Sequence, residues 1–100
     1  MLFKRHLQEL KNTNEFILLC NEQYEDYGEA YFKKIVTANN CLYNFDIMLS
    51  DDLIYLTIEM QKHNQGKEHL EIYDKSHINC VKPFTSVKQL TDFIHYFLNY

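Results

Sequence analysis

The sequence predicts a single α+β domain over residues 1–100: N-terminal helices, a three- to four-stranded antiparallel meander, and a C-terminal helix packed on one sheet face. Three observations predict it. Apolar residues recur at helical spacing up to residue 38 and again after residue 86, but at a period of two between residues 43 and 60. The 100 residues are 46% hydrophobic and 24% charged, the balance of one ordinary globular core. A helical face and a one-sided sheet each need cover, and here each supplies the other's.

Residues 2–11 read as a short helix with Leu2, Phe3, Leu7 and Leu10 on one side, and Asn12-Thr13-Asn14 interrupts it with cap-type residues. From residue 16 to 38 two patterns compete. Residues 16–20 (FILLC) could form a buried strand. Yet Cys20, Tyr24, Tyr27, Tyr31, Ile35 and Ala38 share an arc of about 100° at helical rotation, with Glu22, Glu25, Asp26, Glu29 and Lys33 opposite. Acids lead and Lys33 and Lys34 trail, as the macrodipole prefers, so a helix is expected from about 21 to 38, with 14–20 open between helix and strand. Gly28 would cost such a helix about 1 kcal/mol relative to Ala.

The period then switches. Tyr43, Phe45, Ile47 and Leu49 alternate with polar residues, as do Ile54, Leu56, Ile58 and Met60. The turn 50–53 pairs Leu49 with Ile54 and puts both apolar sets on one face. A third strand is expected around 68–74 with Leu70 and Ile72 on that face, and a fourth, short one at 78–81, ended by Pro83. Ser86 and Gln89 resemble a capping box, after which Val87, Leu90, Phe93, Ile94, Phe97 and Leu98 form an apolar arc.

Little in the sequence supports chemistry. His77-x-x-Cys80 has the residue types for a metal, but at i,i+3 in a strand the two point to opposite faces, so no metal and no cofactor are expected. Gly28 and Gly66 stand alone, which leaves no phosphate loop. Asp51-Asp52 sits in a turn, where Asp is favoured for its bonds to backbone. The chain is read as a non-enzyme. Three cysteines (20, 41 and 80) at unrelated spacings, no signal peptide and no long apolar run point to a cytoplasmic chain with no membrane partner.

Fourteen acids against ten bases give a net charge of −4, which argues against nucleic acid and suits a basic protein. Two surfaces could receive it. On the outer face of the sheet, the expected register sets Met48 opposite Tyr55, Asp46 opposite Thr57 and Asn44 opposite Glu59. Across the next strand it sets Glu59 opposite Glu71, Thr57 opposite Tyr73 and Gln61 opposite His69. Directly opposed glutamates repel by a few tenths of a kcal/mol to about 1 kcal/mol, which a partner's cations would relieve. Asp46, Tyr55, Glu59, Glu71 and Tyr73 are therefore candidate contacts, as are Glu22, Glu25, Asp26 and Glu29 on the expected helix. Each surface also has the commoner reading of an ordinary solvated face.

Inhibition of a basic protein by occlusion, a nuclease toxin for example, is the expected function. Bacterial immunity proteins, antitoxins and phage inhibitors have this size and charge, and the Asn- and Lys-rich composition suits an AT-rich genome of a bacterium or phage. The alternatives are a ligand-binding or enzymatic pocket lined by Tyr24, Tyr27 and Tyr31, and a homo-oligomeric subunit joined through a sheet edge.

Overall fold

Period two prevails over the helical arc in the first half of the chain. The computed structural model describes residues 2–25, 27–38, 40–64, 71–79 and 82–99, with backbone alone at 63–64, 71–77 and 79. It runs α1 (Phe3–Asn12), β1 (Ile17–Gln23), β2 (Gly28–Ala38), β3 (Cys41–Ser50), β4 (Leu53–Asn64), β5 (Glu71–Asn79) and α2 (Val87–Asn99). The strands form one sheet in the order β1-β2-β3-β4-β5, every pair antiparallel. The α+β class, the meander and the C-terminal helix on one sheet face stand as expected.

The helix expected over 21–38 is instead a hairpin of β1 and β2. Tyr31, Phe32, Ile35, Val36 and Thr37 are the aromatic and β-branched types that pack well on a pleated surface. As a strand, β2 buries Gly28, Ala30 and Phe32 on one side and turns Glu29, Tyr31 and Ile35 to the other. A helix would have left Phe32 off its apolar stripe. Glycine is needed at 28 because α1 lies directly on it: a Cβ there would stand 2.7 Å from two ring atoms of Phe3.

The β3–β4 register is the expected one, with Leu49 opposite Ile54, Met48 opposite Tyr55, Asp46 opposite Thr57 and Asn44 opposite Glu59. Asp51 closes this hairpin at φ 52°, a left-handed conformation that Asp tolerates. Its Oδ1 accepts the Gly28 N–H at 2.9 Å and its own N–H donates to the Gly28 carbonyl, tying the turn to the start of β2.

The β4–β5 register differs from expectation. β4 runs on to Asn64 and β5 begins only at Glu71, so Glu59 faces His77, Thr57 faces Asn79 and Gln61 faces Lys75; an irregularity between Lys62 and His63 accounts for only one residue of this displacement. Glu71 lies opposite Asn64 instead of Glu59, and Tyr73 falls at the irregularity, away from Thr57. The two strands expected after the β4 loop are one, β5, while residues 65–70 (with His69 and Leu70) and Cys80 lie outside the described residues.

Both helices cover the same side of the sheet. Phe3 and Leu10 of α1 and Val87, Leu90 and Ile94 of α2 close over Phe32, Phe45, Ile47, Leu49, Ile54, Leu56 and Ile58. Leu2, expected on the apolar side of α1, is exposed, and its N–H donates to Asp52 Oδ1 at 2.6 Å. The α2 cap forms nearly as expected: Ser86 Oγ accepts the Gln89 N–H at 3.2 Å, but Gln89 Oε1 reaches back to the Thr85 N–H instead of that of Ser86. Phe97 meets Tyr43 and Phe45 edge-on, extending the core along β3.

Candidate functional site

No helix among the described residues lies on the other side of the sheet, and there the structure brings together parts of the two expected surfaces. Alternation along the strands sends Glu29, Tyr31 and Lys33 of β2, Asp46, Met48 and Ser50 of β3, and Tyr55, Thr57 and Glu59 of β4 to this outer face, because their neighbours in sequence are the buried core residues. Cross-strand pairing arranges them in rows. Tyr31, Met48 and Tyr55 form one row; Lys33, Asp46 and Thr57 the next; Glu29 and Ser50 lie on the far side of the tyrosines.

On β1, Glu22 stands directly opposite Glu29. The opposed glutamates expected between β4 and β5 thus occur between β1 and β2, formed by two residues assigned in sequence to a helix face. Glu22, Glu29, Cys20, Asn21 and Tyr31 line a shallow depression of about 240 Å³. Glu25 lies exposed in the loop that follows β1, and Asp26 lies outside the described residues. The backbones of Glu71 and Tyr73 belong to β5 at the far edge.

The tyrosines expected to line a core-facing pocket do not do so. Tyr24 and Tyr27 stack on each other in the β1–β2 loop with ring centroids 5.0 Å apart, and Tyr31 sits on the outer face; all three are exposed. Tyr24 donates its hydroxyl to Glu22 Oε2 at 2.8 Å, and this bond, with the charge of Glu22, pushes the phenol above its ordinary value. The nearby Glu29 carboxylate does the same to Tyr27. Both phenols therefore stay protonated beside the carboxylates, and their hydroxyls remain hydrogen-bond donors.

Between Tyr31 and Tyr55 the face dips into a groove of about 290 Å³, lined by Leu19, Met48, Asp46 and Thr57 as well as the two rings. Leu19 reaches it because the register shifts between Leu18 and Cys20, opposite Phe32 and Tyr31, and it is 57% exposed. The alternation of β3 already places Met48 on this face opposite Tyr55, though not as a candidate contact; Leu19 is unforeseen, since a bulge leaves no pattern in the chain.

A second aromatic hollow, between Tyr43, Phe93, Tyr96 and Phe97, lies at the end of α2 and carries no charged group. Nearby, Glu15 Oε1 accepts from Lys34 Nζ at 3.0 Å and lies 2.8 Å from His95 Nε2, joining the α1–β1 loop, β2 and α2. Among the described residues no group of three His, Cys, Asp or Glu is placed to hold a metal. No helix among them is long and apolar enough to cross a membrane. Compared with known proteins, the chain matches no family model, no curated protein and no solved structure.

Proposed function

We propose that the chain is a binding protein whose open sheet face docks a basic protein and inhibits it by occlusion. One observation carries this reading: Glu22, Glu29, Asp46 and Glu59 share with Tyr31 and Tyr55 one sheet face that no helix of the described residues covers, although they span four strands. Glu22 opposite Glu29 is a repulsion that the sheet tolerates, at a few tenths of a kcal/mol to about 1 kcal/mol, and a partner's cations would relieve it. Tyrosine supplies broad contact at low entropic cost, and complementary charge mainly speeds association.

The experiment is a comparison of two variants with equal change of charge. Captured from lysate at low salt, a basic partner is expected to associate with the Glu29→Lys/Glu59→Lys variant about tenfold more slowly than with the parent. The Glu9→Lys/Asp92→Lys variant, altered on the two helices, is expected to keep most of the parent rate. Equal slowing by both variants would make the effect one of net charge and remove the face from the mechanism.

A second reading is self-association through β1. It is an edge strand that exposes Ile17 and Leu19, the kind of edge that pairs with another chain. Light scattering separates the two, since only self-association raises the mass of the isolated chain.

A further inference from the structure

We propose that the groove between Tyr31 and Tyr55 receives one arginine side chain of the basic partner. This rests on the reading of the open face as the docking surface and names the contact at its centre. Tyr31 and Tyr55 flank Met48 on successive strands, so their Cα atoms are roughly 10 Å apart, two interstrand spacings. Met48 forms the floor between them, over which a planar group can lie with a tyrosine on either side. The groove's volume of about 290 Å³ has room for one long side chain.

Its lining has two chemical parts, and arginine has the same two. Met48 and Leu19 offer apolar surface to a methylene stem. Tyr31 and Tyr55 offer aromatic surface to a weakly hydrated, planar cation, and Asp46 adds a carboxylate to the lining. Asp46 is exposed, and its hydrogen bond from Asn44 Nδ2 is long, at 3.4 Å, so its oxygens can accept a bidentate guanidinium. Lysine would bring the charge but neither the plane nor the paired donors. Lys33 stands opposite Asp46 on β2 and is the resident cation that an incoming guanidinium must compete with.

The probes are acetyl-Gly-Arg-Gly-amide and the same tripeptide with neutral citrulline, titrated into the intact chain. The Met48 methyl and the Tyr31 and Tyr55 ring resonances are followed by NMR. Saturable shifts of these signals are expected with the arginine peptide, and the citrulline peptide is expected to bind at least about fivefold more weakly. Tyr55→Leu keeps apolar bulk without the π face, and Asp46→Asn keeps shape without charge. Each is expected to weaken the arginine peptide by about fivefold, whereas Lys33→Met strengthens it by a similar factor. All three variants sit on the outer face of the sheet, and a dispersed spectrum verifies that each is folded.

Equal binding of both peptides overturns the proposal, as does an affinity unchanged by Asp46→Asn. Shifts confined to Glu22 and Glu29, with Met48 silent, overturn the groove and leave the acidic face standing. No shift at any of these residues also overturns the groove. The fate of the wider docking reading is then decided separately by the association rates of the charge-reversed variants.

Discussion

Replacing Gly28 by Ala tests the architecture through the sign of its effect. A Cβ at residue 28 would lie 2.7 Å from two ring atoms of Phe3 and 2.9 Å from a third, where ordinary carbon contacts settle near 3.5–4.0 Å. The ring must retreat by about 1 Å, yet Phe3 is wholly buried and packed on all sides, so the shift propagates into the α1–sheet contact. Overpacking of this kind costs about 1–3 kcal/mol. In a chain of this length each kcal/mol lowers Tm by about 4–8 °C. Urea unfolding followed by far-ultraviolet circular dichroism should show a lower midpoint at unchanged slope. The double variant Gly28→Ala/Phe3→Leu should recover part of the loss, with a coupling energy of at least about 0.5 kcal/mol. Were residues 21–38 helical, the same substitution would stabilise by about 1 kcal/mol. A stabilised Gly28→Ala variant, or strictly additive single effects, refutes the packing of α1 on β2.

Two further outcomes are expected. His6 is buried in α1, and neither ring nitrogen has a hydrogen-bond partner among the described residues, so His6→Leu should raise stability by about 1 kcal/mol in a thermal scan; a fall would mean that the imidazole is satisfied. Burial raises the Glu15 carboxyl, but the bonds from His95 and Lys34 outweigh it and hold the group below its ordinary value of 4.5. A depressed folded value makes this contribution complete above the unfolded value and drained as the pH falls through the folded one, so Glu15→Gln should flatten the acid limb of stability below about pH 4.5; an acid limb identical to the parent's would contradict it.

Legibility in the sequence followed the number of independent constraints on each segment. The β3–β4 hairpin was readable to the residue because two alternating runs and an Asp-rich turn fix one register. The start of α2 was readable from Ser86 and Gln89. The β1–β2 hairpin was not, because an edge strand exposed on both sides shows no clean alternation, as β1 does, and because three tyrosines and an acid run happened to fit a period of 3.6. Phe32 and Val36, off that stripe, carried the opposing signal. The β4–β5 register was not readable, because nothing in the chain marks that β4 runs on to Asn64 before β5 begins at Glu71, and the irregularity after Lys62 adds one residue more. Of the residues singled out, Asp46, Tyr55 and Glu59 were placed in their right β3–β4 pairing, Glu22 and Glu29 on the wrong element, and Glu71 and Tyr73 opposite the wrong residues.

The strictly sequential strand order also sets a timetable for synthesis. Each strand can pair as soon as the next one leaves the ribosome, with α1 already at hand to shield β2 and β3. The part of the core that α2 covers has no such early guardian. Ile54, Leu56 and Ile58 of β4 emerge well before Val87, Leu90 and Ile94, so a nascent sheet waits with an apolar surface bare until the last helix arrives. That interval is when the chain is most exposed to aggregation and most in need of a chaperone. Slow codons between β5 and α2 would lengthen it, and a stop within α2 would make it permanent.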